Sequence, residues 1–174
     1  MTTEEIENIV YDYGEDLYRF CRYLTSDNDM ADELYQETFL KATQLSSRLK
    51  RSGNIKSFLM GIASNIWKNY LKKNARRNEI LPQGEYDENI KNVCDGKSDI
   101  LETFVENEIL NDVRLAINNL KDKQRIVVIL YYCEDFTTEE IGRMLHIPKG
   151  TVLSRLAKAR KIIKKEMEMK GYEV

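Results

Sequence analysis

Between Lys149 and Lys165 the chain carries seven cations, Lys149, Arg155, Lys158, Arg160, Lys161, Lys164 and Lys165, and no acidic residue. Thr151, Leu153 and Ser154 stand among them, while Val152, Leu156, Ala159 and Ile163 recur at spacings of three and four. That period sends the apolar residues to one side of a helix and the cations to the other. Cations hold phosphates and short polar side chains reach base edges. A helix of this kind suits the major groove of duplex DNA, with its first turns on the bases and its later cations on the backbone. A solvated charged surface helix is the plain alternative.

The residues just before supply the element that would hold this helix. Thr137 and Glu140 have the spacing of a capping box, so a helix should begin there. Ile141, Met144 and Leu145 give it a short apolar stripe, and residues 145–148 end it. Pro148 suits the first turn of the next helix, where its missing N–H costs nothing. Gly142 is small enough to let the second helix cross close by. Residues 137–165 therefore read as a DNA-binding helix-turn-helix, with Thr137 at its outer edge. His146, the only histidine, falls at a helix end, where a turn or capping role is the simplest reading.

Net charge is only −2, but its distribution is uneven. Acidic residues dominate 1–37 and 78–112, whereas 48–77 holds Arg48, Lys50, Arg51, Lys56, Lys68, Lys72, Lys73, Arg76 and Arg77 with no acid. Two basic patches on an acidic background suggest two contacts with nucleic acid and an acidic surface for something else. Cys21, Cys94 and Cys133 are widely spaced, which argues against a zinc site or a disulfide framework; two of them are expected in helix cores as reduced thiols. No nucleophile–base pair, phosphate loop or metal cluster suggests catalysis, and no cofactor is implied. The start does not read as a signal peptide, and no apolar run approaches the roughly 20 residues that cross a bilayer. The expectation is a soluble, cytoplasmic protein without membrane insertion.

With two prolines and a period near 3.6 almost throughout, the chain reads as all-α. A first helix carries the stripe Ile6, Ile9, Val10, Tyr13, Leu17, Phe20, Cys21 and Leu24. After a capping-rich turn at 25–29, a second carries Met30, Leu34, Tyr35, Thr38, Phe39, Ala42 and Leu45. Asp32, Glu33, Gln36 and Glu37 form its polar face. Residues 46–54 are a polar, basic loop, and a third helix bears Ile55, Phe58, Leu59, Ile62, Ala63, Ile66 and Tyr70. Asn65, Lys68, Asn69, Lys72 and Lys73 step along one side of it, continued by Arg76 and Arg77, so asparagines could pair with bases and cations with phosphates. Trp67 lies beside the strongest apolar stripe and is expected to be exposed, able to support an unstacked base; Tyr70 is expected in the core. Periodicity stops over 78–99 and resumes at Ile100. The plan is two small helical domains, 1–77 and 100–174, joined by a flexible acidic linker over 78–99, with the helix-turn-helix in the second.

Three segments carry a resemblance. Residues 29–42, DMADELYQETFLKA, resemble the polymerase-binding segment of bacterial sigma factors. Residues 58–77, FLMGIASNIWKNYLKKNARR, look like the segment that opens and reads the −10 element, and 147–160, IPKGTVLSRLAKAR, are similar to the −35-reading helix. Their order and spacing resemble the small two-domain extracytoplasmic-function sigma factors over roughly residues 10 to 168. The resemblance implies that Asp32, Gln36 and Phe39, with Glu33 and Glu37 beside them, meet a coiled coil of the largest subunit of core RNA polymerase. It implies a pocket for an extruded −10 base near residues 46–54, where Arg48, Lys50 and Arg51 lie. It also implies a flap contact with the second-largest subunit, a linker near the polymerase cleft or RNA exit path, promoter DNA as ligand and an anti-sigma protein as partner. Family members often have a base where Leu153 stands; leucine cannot donate to guanine but can touch a thymine methyl, so the −35 sequence is not transferable. Arg155 and Lys158 are the next candidates for base contact. An operator-binding helix-turn-helix regulator is the main rival, and a phage-type or toxin-gene-specific sigma relative a third reading.

Overall fold

A computed structural model describes residues 3–45, 53–80 and 104–173, and all its regular elements there are helical. The chain divides into two compact units, Met1–Asn92 and Val93–Val174. Most of the linker expected over 78–99 lies outside the described residues.

In the first unit α1 (Thr3–Thr25), α2 (Asn28–Gln44) and α3 (Ile55–Ile80) pack pairwise against one another. Glu4 and Glu5 in the first turn of α1 and Arg22 in its last complement the helix dipole. Leu17, Phe20, Cys21 and Leu24 are buried, but Val10 is 39% exposed and Ile6, Ile9 and Tyr13 are only half-covered. The apolar stripe of α1 thus seals the core along its second half alone. Ser26 takes a left-handed conformation, and Asp27 then caps α2, its carboxylate accepting from the Met30 N–H at 2.8 Å. From α2, Ala31, Leu34, Thr38 and Ala42 enter the core; the Thr38 hydroxyl donates to the Leu34 carbonyl at 2.6 Å. α1 and α2 approach closely at Gly14, where a Cβ would lie 2.9 Å from the Tyr35 hydroxyl. Asn54 caps α3 by accepting from the Ser57 N–H at 2.9 Å, and α3 contributes Leu59, Met60, Ile62, Ala63 and Trp67. Lys56 bridges back to Asp16 on α1 at 3.0 Å, and this bond leads the causes that hold the Asp16 carboxyl below its usual range.

In the second unit α4 (Phe104–Asn118), α5 (Asp122–Val128) and α6 (Thr138–Leu145) surround α7 (Lys149–Met169). Val152, Leu156, Ala159 and Met167 of α7 meet Ile126, Val127, Ile129, Leu130, Ile141 and Leu145 in the core, with Ile163 half-buried. Full burial of one such leucine contributes about 1.5–3 kcal/mol. Asp112 anchors the far end of α7 to α4 by accepting from Lys170 and from the Tyr172 hydroxyl. α5 does not end cleanly. Ile129–Cys133 winds as a π-helical turn, whose wider loop is closed by Glu134 N–H donating to Ile129 O at 3.2 Å. Cys133 sits at its end and is exposed, whereas Cys21 is buried and its thiol pushed up to about 12 by desolvation. Among the described residues Cys21 lies in a helix core as expected and Cys133 does not; Cys94 lies outside them.

The helix-turn-helix has the expected grammar. Thr137 and Glu140 form a reciprocal capping box. α6 ends where His146 adopts a left-handed φ of 54°, letting Ile147 N–H donate to Gly142 O at 2.9 Å. A Cβ on residue 142 would sit 2.9 Å from the Ile147 carbonyl, so the glycine admits the turn more than the crossing helix. Pro148 occupies the N-cap position of α7, one place earlier than expected. Lys149 at the start of α7 pairs with Glu139 on α6, and that bond above all draws the Glu139 carboxyl down to about 2.

Two expectations follow. Gly142→Ala should destabilise the second unit by about 1–3 kcal/mol, because a backbone carbonyl cannot give way as a side chain can. Gly150→Ala, with nothing within 4 Å, should be neutral or stabilise by up to about 1 kcal/mol; denaturant unfolding read by circular dichroism checks both. The folded Glu139 value lies below the ordinary 4.5, so the α6–α7 clasp contributes above that pH and is lost as pH falls towards 2. Lys149→Ala should return Glu139 close to its ordinary value in an NMR titration, and an unmoved carboxyl would contradict the pairing.

Candidate nucleic-acid and protein interfaces

On α7 the burial of Val152, Leu156 and Ala159 turns the opposite side to solvent. Lys149, Leu153, Ser154, Lys158, Arg160 and Lys161 are exposed, and Thr151 and Arg155 are half-buried. Leu153 is 48% exposed, so an apolar side chain projects from the outer face where it can meet a base methyl. Three of the cations are held within the protein. Lys149 is neutralised by Glu139, Lys164 lies 3.8 Å from Glu168, and Arg160 donates from Nε to the Tyr132 hydroxyl at 2.7 Å. Thr137 is exposed, but its N–H and hydroxyl are both engaged with Glu140. Tyr132 did not stand out in the sequence, where it follows the apolar run 126–130 at what reads as a helix end. The π-helical turn brings it to the flank of α7, 52% exposed.

On α2 the residues Asp32, Glu33, Gln36 and Glu37 are all exposed, with Phe39 half-buried behind them. The Phe39 ring meets Tyr35 edge-on at 5.0 Å, and Tyr35 meets Tyr18 of α1 at 5.6 Å. This aromatic row braces the acidic face from beneath. A hydrogen bond to Asp32 leads the causes that raise the Tyr18 hydroxyl above its usual pKa, so one of the face's carboxylates is also tied to α1. Leu40 was missed. It is 62% exposed one helical turn beyond Gln36 and Glu37, placing an apolar anchor inside a polar face. Its only sequence signal is a large aliphatic residue outside the buried stripe.

On α3 the residues Lys68, Asn69, Lys72, Lys73, Arg76 and Arg77 are exposed along one side, and Asn65 at their head is half-buried. Trp67 departs from expectation. It is 8% exposed and stacks on Tyr70 at 5.3 Å with rings 13° apart. The Tyr70 hydroxyl in turn reaches Met30 Sδ of α2 at 3.2 Å. Trp67 belongs to the seam between α2 and α3, where its large apolar area gains more from burial than from offering a stacking platform. Arg48, Lys50 and Arg51 lie outside the described residues. Among the described residues no group of His, Cys, Asp and Glu could hold a metal ion, and no helix is long and apolar enough to cross a membrane.

Residues 9–77 match the family Sigma-70 region 2, and residues 110–163 match Sigma-70, region 4. The chain is similar to the ECF RNA polymerase sigma factor SigX of Bacillus subtilis, 25% identical over 95% of this chain and 86% of the relative. It is also similar to SigW of Bacillus subtilis, 26% identical over 92% and 87%. The fold resembles the sigma factor RpoE, solved in complex with the anti-sigma factor NepR from Bartonella quintana. That likeness has a TM-score of 0.78 at 23% identity, over 95% of this chain and 98% of the other. The operator-binding regulator is not favoured by these matches. With sigma-70 region 2 followed by region 4 and full-length similarity to such proteins, the chain belongs to the extracytoplasmic-function sigma factors and directs transcription initiation.

Proposed function

We propose that the two units divide promoter recognition between them, residues 1–77 engaging core RNA polymerase and the melted −10 strand and residues 100–174 reading the −35 duplex. The observation that carries this is the separation of charge within one chain. An acidic face on α2 with Leu40 one turn beyond it suits an arginine-rich protein surface, and cationic faces on α3 and α7 suit phosphates. On the first unit Asp32, Gln36, Glu33 and Glu37 meet polymerase, with Phe39 packing behind. Lys68, Lys72, Lys73, Arg76 and Arg77 hold the backbone of the opened strand, Asn65 and Asn69 approach its bases, and Arg48, Lys50 and Arg51 line the way to them. Trp67 supports this face from within the core. On the second unit Ser154, Lys158 and Lys161 occupy the middle of the groove-facing side. Leu153 and Arg155 flank them, and Thr151 and Lys149 stand at the helix entry. Bond formation remains with polymerase, the chain contributes binding alone, and it works in the cytoplasm where polymerase does. The neighbour solved with an anti-sigma factor supports a partner of that class for this chain.

Transcription in vitro with purified core polymerase on fragmented genomic DNA tests the reading. Start sites that require the chain and share two spaced elements are expected. Asp32→Arg with Gln36→Ala should abolish them, and Leu40→Asp should weaken core binding by roughly tenfold or more, as placing a charge on an apolar anchor does. Absence of new start sites, with tight duplex binding by the free chain, would contradict it.

A further inference from the structure

We infer that Tyr132 is a positioning residue for Arg160, aiming its guanidinium at a phosphate of the −35 duplex without neutralising it. The inference rests on the reading above, in which α7 enters a groove. Arg160 donates its Nε–H to the Tyr132 hydroxyl at 2.7 Å, and its guanidinium carbon lies 5.8 Å from the ring centre. Tyr131 braces the Tyr132 ring edge-on at 4.9 Å. The π-helical turn sets this pair in place, since Ile129 and Leu130 at its start are buried and Tyr132 swings outward.

The choice of partner matters. Lys149 and Lys164 are paired with carboxylates, Glu139 and Glu168, so part of their charge is already spent within the protein. The partner of Arg160 is a neutral phenol, which orients the group and leaves its full charge for DNA. With Nε engaged, both terminal nitrogens remain for the two-pronged contact that guanidinium makes with phosphate. An arginine held in place before binding loses less side-chain freedom on binding.

The test measures binding of holoenzyme to a promoter fragment recovered by the transcription experiment, across a salt series. Wild type is compared with Tyr132→Phe, Arg160→Ala and the double variant, and melting of each free chain is recorded. Arg160→Ala should weaken binding and flatten the slope of log affinity against log salt by about one unit. Tyr132→Phe, which keeps the ring, should weaken binding about 2- to 10-fold, leave the melting temperature unchanged and add nothing in the Arg160→Ala background. An equal loss from Tyr132→Phe in both backgrounds, no loss at all, or an Arg160→Ala variant with wild-type affinity and slope would overturn the inference. Wild-type holoenzyme that shows no promoter-specific binding would instead remove the sigma-factor reading, and the inference with it.

Discussion

The carbonyl of Ile147 lies where a Cβ on residue 142 would be only 2.9 Å away, and the second unit is built around that approach. It requires glycine on α6 and a left-handed residue at His146 to swing the chain round. It then delivers Pro148 to the N-cap of α7 with φ already at −60°. Once the turn is set, the direction of α7 follows, and with it which side chains are buried. Val152, Leu156 and Ala159 face the core, so Leu153, Ser154, Lys158 and Lys161 must face solvent. The exposed cationic surface of α7 is the far side of a packing decision. Carbonyl and glycine therefore govern which of its side chains face outward.

In the first unit the corresponding constraint is charge separation across a small bundle. α2 is acidic and α3 cationic along their exposed sides, and the core seam between them is filled by Trp67, Tyr70 and Met30. A seam of polar groups would let the two faces bridge and cancel. An aromatic seam keeps them apart and stiff, so each field reaches outward over the several ångströms that salt permits. The row Tyr18, Tyr35 and Phe39 serves the acidic side in the same way, and glycine at position 14 leaves room for the Tyr35 hydroxyl between α1 and α2.

Where local rules decide the structure, the sequence was a good guide. The Thr137–Glu140 capping box, the stop before Pro148, the turn role of His146 and the inward residues of α7 depend on neighbours a few positions away. The exposed faces of α2 and α3 were legible for the same reason. What was not legible depends on tertiary fit. Trp67 sits at the flank of its stripe, where period alone cannot tell covered from open; it lies in the seam where Tyr70, one turn on, stacks against it and reaches Met30 of α2. Cys133 and Tyr132 ride on a π-helical turn that shifts the register by one residue, so their exposure cannot be counted from the apolar run 126–130. Leu40 looked like one more aliphatic residue, and only the position of the core shows that it points outward. The apolar start of α1 misled in the same sense, since Val10 in its stripe is 39% exposed.

The central claim is that this chain lets core polymerase open promoter DNA, with α3 holding the separated strand. Permanganate reactivity of thymines on a promoter fragment tests it most directly, because only unstacked thymines react. Polymerase with the wild-type chain should expose thymines around the −10 element. Lys72→Ala with Lys73→Ala should suppress that reactivity while binding to core polymerase persists. Thymines that stay protected with the wild-type complex bound, or reactivity indifferent to those two lysines, would contradict the account.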